Sequence, residues 1–343
     1  MDVRKLLWPV SLLYDAGTRI RNGMFEAGIL KETTFSIPVI CVGNLSMGGT
    51  GKTPHIEYLI QLLKSNCKVA VLSRGYGRTT KGFREVSIAS SSDECGDEPL
   101  QIKTYHKDVA VFVCEDRVTG IQKIIQDIFP DVILLDDAFQ HRYVKPSLNI
   151  LLTDYAKPFF NDTVLPSGNL REASSAFKRA DIIIVTKCPE YLPETIQSHY
   201  LKSINPLKDQ QVYFTGLQYH SLVSANSSAD LPTSSYPKVN CILLTGIANP
   251  ELLIQYAEKQ FHSVNHMEFN DHHRYSESDF KKIEEKFNNI ASPSIIVTTS
   301  KDYMRIKGHI SHLPVYILPV EATFLLNAKN QFDQYIINHV RKN

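Results

Sequence analysis

Gly48, Gly49, Thr50, Gly51, Lys52 and Thr53 stand in consecutive positions and are the residue types that bind phosphate. The glycines let backbone N–H groups converge on phosphate oxygens without Cβ clashes. Lys52 then reaches the β- and γ-phosphates, and the Thr53 hydroxyl is a ligand for Mg²⁺. The strict pattern G-x-x-x-x-G-K-[ST] asks for glycine at position 46, where this chain has Ser46. A second chemical group follows at the end of the apolar run 131–136, which closes on Asp136 and is followed by Asp137. An acid at the end of a strand downstream of a phosphate loop holds Mg²⁺ directly or through water, and Asp137 is poised to share that task. Together these residues call for a nucleoside triphosphate. Guanine recognition would place N-K-x-D near residues 186–189, which read Thr186-Lys187-Cys188-Pro189 with no acid, so guanine specificity is not expected.

The elements that must position these groups are legible around them. An apolar, β-branched run at 37–42 leads into the glycine turn, and Ile56, Leu59, Ile60 and Leu63 then mark one face of a helix. Pro54 sits in the first turn of that helix, where its missing N–H costs little. Further strands read at 68–73, 109–114, 131–136, 149–153 and 181–186, and a helix at 118–129. Continuous apolar runs indicate strands buried on both faces, hence a mostly parallel sheet with flanking helices. In such sheets ligands bind beyond the C-terminal strand ends. The Ser-, Ala- and Pro-rich stretch 221–237 reads as a linker. Beyond it a strand at 239–245, helices from 250 and over 277–287, strands at 294–299 and 315–318 and a terminal helix make a smaller α/β domain. The expected division is 1–30, a phosphate-loop domain 31–220, a linker 221–237 and a second domain 238–343.

Composition excludes several classes. The 343 residues carry 37 Lys plus Arg against 36 Asp plus Glu, so a net charge of +1 gives no argument for nucleic-acid binding. The six cysteines are scattered without a C-x-x-C pair, which suits reduced thiols. Adjacent His272 and His273 lack metal spacing and point to a catalytic or phosphate-facing histidine rather than a zinc ligand. No run is long enough to span a bilayer. The segment 1–30 places Leu6, Leu7, Trp8, Val10, Leu12 and Leu13 among Arg4, Lys5, Arg19 and Arg21. It either lies on a membrane surface or packs on the core.

The motifs VGNLSMGGTGKTP (42–54), SRGYGR (73–78), GDEP (96–99), EDR (115–117), LLDDAFQHR (134–142), LPSGNLRE (165–172) and FNDHHRY (269–275) occur in that order over most of the chain. Together they resemble the tetraacyldisaccharide 4′-kinase family, the lipid A 4′-kinases of Gram-negative bacteria. Ser46 agrees with that family, whose phosphate loop does not require glycine there. The resemblance implies a kinase using ATP and Mg²⁺ to phosphorylate the 4′-hydroxyl of an acylated disaccharide, tetraacyldisaccharide 1-phosphate. It also implies a cleft between two α/β domains, and a peripheral location at the cytoplasmic face of the inner membrane, met by the N-terminal helix. On the substrate side it implies Asn44, Arg74, Glu98, Arg117, Gln140, His141, Arg171 and Glu172. No nucleic acid and no obligate protein partner are expected.

Phosphoryl transfer to a sugar hydroxyl also needs a group to take the alcohol proton. Mg²⁺ would hold Asp136 and Asp137 as poor bases, so Asp97, in a separate loop stiffened by Pro99, is the candidate, paired across a closed cleft with His272. The resemblance points to the same two positions. A regulatory P-loop switch would need a sensing loop such as D-x-x-G, but Asp136 is followed by Asp137-Ala138-Phe139. A soluble small-molecule kinase would not need the amphipathic N-terminus.

Overall fold

The computed structural model describes residues 3–225 and 231–342, so 226–230 of the expected linker, the first two residues and residue 343 lie outside the described residues. The fold is α/β as expected, built on two sheets. The larger has nine strands. In spatial order they are Val320–Phe324, Gln211–Tyr219, Ile182–Thr186, Leu148–Asp154, Val39–Asn44, Val132–Asp136, Val69–Ser73, Ala110–Val113 and Arg84–Glu85. All pairings are parallel except those of the two edge strands, Val320–Phe324 and Arg84–Glu85.

Alternate residues of the central strand explain why this sheet needs helices on both faces. Ile40 and Val42 pack with Ile56, Leu59, Ile60 and Leu63 of the helix Lys52–Leu63. Val39 and Cys41 point the other way, toward Ile121 and Ile124 of the helix Arg117–Ile128. With both faces apolar and covered, polar chemistry is confined to the strand ends.

The smaller sheet orders Ser263–Glu268, Asn240–Thr245, Ser294–Thr298, Val315–Ile317 and Val223–Ser224, antiparallel only at the last pair. It too is buried on both sides, with Cys241 and Leu243 in one cluster and Ile242 and Leu244 in the other.

Two expected boundaries differ from this topology. The chain after 238 does not stay in the smaller unit: Val320–Phe324 adds an edge strand to the large sheet, and Phe332, Ile336 and Val340 of the helix Lys329–Lys342 join the large core. The stretch 221–237 is also more than a linker. Leu222 and Tyr236 are buried in the smaller unit's core, and the Leu222 N–H donates to the Tyr236 hydroxyl at 2.8 Å. Serine-rich composition hides this because only a few large side chains anchor the segment.

All six cysteines are free thiols. The return of the C-terminus makes Phe332 a keystone, 1% exposed and stacked against Phe324 at 4.3 Å and edge-on to Tyr213 at 5.3 Å. Phe332→Ala should cost roughly 3–5 kcal/mol. Hydrogen exchange under mild denaturant is expected to quicken in the strands of the large sheet while Asn240–Thr245 keeps its protection.

Candidate active site

The phosphate loop joins the strand Val39–Asn44 to the helix Lys52–Leu63. Gly48 and Gly51 have φ of 108° and 84°, which a side chain would resist. Position 46 does not need glycine, because Ser46 lies extended in a β-bridge with Leu170. Two bonds secure that stretch: the Met47 N–H donates to the Asn169 carbonyl and the Arg171 N–H to the Leu45 carbonyl, both at 2.7 Å. Asn44, expected on the substrate side, is instead fully buried and donates its amide to Thr50 Oγ1 at 2.9 Å. It shapes the loop from below.

The two acids after the strand Val132–Asp136 are separated by their surroundings. Asp136 is 1% exposed; its Oδ2 accepts from Ser73 Oγ at 3.2 Å and its Oδ1 has no hydrogen-bond partner. Burial first, then the nearby charges of Glu98 and Asp137, push its carboxyl up to about 7. Asp137 has φ of 50°, with Oδ1 2.8 Å from Arg171 Nη1 and Oδ2 3.7 Å from Lys52 Nζ. Burial opposes its charge, yet Lys52 and Arg171 outweigh it and hold the carboxyl below its usual range. A buried carboxylate oxygen without a partner, beside a second acid and a phosphate loop, fits a Mg²⁺ that completes its shell with triphosphate oxygens. Among the described residues no three His, Cys, Asp or Glu side chains form a metal cage.

Asp97 begins the helix Asp97–Tyr105 rather than lying in a loop, and Pro99 sits in the first turn, where proline is tolerated. His272 approaches from the smaller unit with a left-handed φ of 59°. Its Nδ1 lies 3.1 Å from Asp97 Oδ2, and its Nε2 lies 3.1 Å from Lys301 Nζ. Arg305 Nη2 also lies 3.2 Å from Nδ1, so each ring nitrogen faces a cation, and Asp97 is the acceptor beside Nδ1. The helix Ser300–Ile306 supplies two cations that the motif reading passed over. Arg305 Nη2 donates to Asp97 Oδ2 at 2.5 Å, and Lys301 pairs with Asp271 at 3.0 Å and Glu98 at 3.4 Å. Their signal was their place just after the strand Ser294–Thr298. Burial would raise the Asp97 carboxyl, but His272 and Arg305 together hold it below the ordinary value.

The remaining expected residues divide into reachable and structural. Arg74 is exposed at the end of the strand Val69–Ser73. His141 borders a groove of about 610 Å³ with Thr33, Glu115, Asp116, Val118 and Tyr143. Its Nε2 lacks a partner, and burial with Arg117 nearby pushes the imidazole down to about 4. Arg117 itself is 2% exposed and donates to the Cys114 and Glu115 carbonyls. Glu172 is likewise buried and occupied, accepting from Asn22, Gln140 and Arg179.

The helix Trp8–Glu26 is amphipathic in reverse. Several of its polar side chains face the protein beside the buried Phe25: Ser11 bonds Ser167 at 2.8 Å, Tyr14 donates to the Arg171 carbonyl at 2.8 Å and Arg21 to the Gln140 carbonyl at 3.1 Å. Leu6, Trp8, Leu12, Leu13 and Ile20 face outward, each more than half exposed. No helix among the described residues is long and apolar enough to cross a membrane.

With a phosphate loop, split acids and a carboxylate–imidazole pair meeting across a cleft, fold and site define a P-loop kinase. A family model for tetraacyldisaccharide-1-P 4′-kinase, LpxK, matches residues 3–341, and the chain belongs to that family. A tetraacyldisaccharide 4′-kinase of Bacteroides thetaiotaomicron is 42% identical, covering 100% of this chain and 95% of its own. One from Flavobacterium johnsoniae is 41% identical, over 99% and 98%. The crystal structure of LpxK from Aquifex aeolicus in complex with ATP is similar at a TM-score of 0.77 and 28% identity, covering 98% of this chain and 99% of that one.

Asp136 yields a stability prediction. A carboxyl raised from 3.8 to about 7 on folding imposes no penalty below 3.8, a growing one as pH rises through that window, and the full one above about 7. Asp136→Asn should therefore raise the Tm of the ligand-free protein at pH 8. The gain should vanish toward pH 4, as read by calorimetry at each pH.

Proposed function

We propose that this kinase transfers the γ-phosphoryl group of ATP to the 4′-hydroxyl of tetraacyldisaccharide 1-phosphate, in lipid A synthesis. The observation that carries the chemistry is the Asp97–His272 contact, which sets a proton acceptor at the cleft. The loop residues Gly48 to Thr53 cradle the triphosphate, and Lys52 offsets charge on the transferring group. Mg²⁺ would be held by Thr53, Asp136 and Asp137, with Asp136 Oδ1 the better placed carboxylate oxygen because Asp137 is engaged by Arg171 and Lys52. The ion would supply further charge neutralisation on the phosphates.

Asp97 is ionised when the acceptor arrives, since Arg305 and His272 favour its anion. The 4′-oxygen attacks the γ-phosphorus, its proton passes to Asp97, and ADP leaves with the electron pair of the broken P–O bond. His272, held between Lys301 and Arg305, braces the carboxylate through its Nδ1 contact. For the disaccharide phosphate and sugar we assign Arg171, Arg74, Gln140 and His141. The outward Leu6, Trp8, Leu13 and Ile20 supply an apolar face for the acyl-chain end of the bilayer, and Arg4 and Arg19 suit anionic headgroups. This reading puts the enzyme peripherally on the cytoplasmic face of the inner membrane.

Transfer of labelled γ-phosphate to the acylated disaccharide tests the proposal. Turnover of ATP that is the same with and without the lipid would overturn it. Lys52→Ala should lose several orders of magnitude in kcat. Asp97→Ala and His272→Ala should each cut kcat strongly with little change in ATP affinity, and the double variant should lose less than the product of the two; multiplicative losses would show that they act separately.

The membrane contact has its own check. Leu13→Glu with Ile20→Glu leaves the helix's docked side intact. It should release the protein from anionic vesicles and raise the KM for vesicle-borne lipid, with a smaller effect on a water-dispersed analogue.

A further inference from the structure

The phosphate loop is unusual in how its other edge is occupied. Four consecutive carbonyls, of residues 48 to 51, each accept from a side chain, two of these from the end of the strand Ile182–Thr186. Asn44 Nδ2 reaches the Gly48 oxygen at 3.4 Å, Lys187 Nζ donates to the Gly49 oxygen, Thr186 Oγ1 to the Thr50 oxygen at 2.9 Å, and His55 Nδ1 to the Gly51 oxygen at 2.7 Å. The histidine's tautomer follows. A carbonyl only accepts, so Nδ1 carries the proton, and Nε2 accepts from Thr215 Oγ1 at 3.1 Å. Burial keeps the imidazole neutral, pushed down to about 4.

Each of these peptide bonds is trans and planar, so a carbonyl held on one side sends the N–H of the next residue to the other. Fixing the Gly48, Thr50 and Gly51 oxygens therefore fixes the N–H groups of Gly49, Gly51 and Lys52 on the opposite side of each peptide, and the Gly51 oxygen also accepts from the backbone N–H of His55 at 3.4 Å. The Thr50 N–H is the exception, already bonded to the Gly48 carbonyl at 3.0 Å. None of this is demanded by the glycine–lysine–threonine pattern, which specifies space and charge but not what lies beneath.

Lys187 makes the point most sharply. It is a non-glycine residue at φ of 58°, a left-handed conformation that side chains resist. Its ammonium is also braced by Asp154 at 2.9 Å. Its residue sits where guanine-reading folds place the lysine of N-K-x-D, yet here the amine is committed to the loop carbonyl and to Asp154.

We propose that His55 and Lys187 are positioning residues for ATP: with Thr186 and Asn44 they clamp the carbonyl edge of the phosphate loop, so that its N–H groups are already turned toward the triphosphate before it binds. The clamp spares the loop the ordering cost that binding would otherwise incur. It acts through the backbone and touches no reacting atom. This inference rests on the phosphate-loop reading of residues 48–53 given above.

The test uses the full chain with His55→Phe, His55→Asn and Lys187→Met. Hydrogen exchange over residues 44–56 is measured without ligand, and ATP affinity by calorimetry with Mg²⁺ present. His55→Phe and Lys187→Met should each speed exchange in that segment and weaken ATP by on the order of tenfold, as expected for the loss of one well-placed hydrogen bond. The KM for the lipid should stay within twofold of wild type. His55→Asn, whose amide can still donate to the Gly51 carbonyl, should retain most of the affinity. Exchange and affinity unchanged in both His55→Phe and Lys187→Met would overturn the clamp, and so would a His55→Asn as impaired as His55→Phe. A wild-type chain that binds no ATP would instead overturn the phosphate-loop reading, and the exchange comparison would still decide whether these side chains order the loop.

Discussion

The Asp97 carboxylate is where the two halves of the protein are tied. It belongs to the larger unit, whereas both donors on its Oδ2, Arg305 and His272, come from the smaller. Its side chain is 10% exposed and that of Arg305 6%, so the pair is largely dry and its strength depends on remaining complete. Removing one partner of such a pair typically costs roughly 3–5 kcal/mol, because the other charge is left unmatched. The net stabilisation of the intact pair is far smaller. A contact of this kind does little for overall stability but sets one relative placement of two sheets, and that placement makes a site from strand ends that are separately inert.

The same logic of unequal surroundings separates the neighbouring acids. Asp136 and Asp137 differ by one residue and carry the same chemistry, but the left-handed turn at Asp137 swings its carboxylate toward Lys52 and Arg171. Asp136 ends its strand with only Ser73 donating to its carboxylate. One acid is satisfied by cations already in place; the other keeps an oxygen without a partner and a raised affinity for positive charge.

The N-terminal helix obeys a different constraint. A surface helix normally turns its apolar stripe inward, but here hydrogen bonds from Ser11, Tyr14, Arg21 and Asn22 hold the polar stripe against the loop 165–172 and residue 140. The apolar stripe is left in water, a state soluble proteins rarely keep as a contiguous patch. The loop gripped by the helix also carries Arg171, which reaches Asp137, so the helix and the acids are linked through one short segment.

The phosphate loop, the strand ending in paired acids and the two-sided burial of the large sheet were legible in sequence because each is local. Glycines at fixed spacing, a run of β-branched residues and a terminal acid need no distant partner to be recognised. The Asp97–His272 pairing was reachable through chemistry and motif resemblance together. Arg305 and Lys301 were not, since their place just after a strand does not say which cation will cross to another unit. The return of Val320–Phe324 to the large sheet was equally hidden, because an edge strand's pairing is set by backbone hydrogen bonds to a partner about a hundred positions earlier and not by its own composition. Asn44, Arg117 and Glu172 show the same limit from the other side, as polar residues in functional motifs that tertiary packing buried among protein partners. The sequence by itself determined which residues can bind phosphate and hold a metal. Only the tertiary structure decided which polar groups face the cleft and which sit beneath it, because burial and partner choice depend on contacts between segments far apart in the chain.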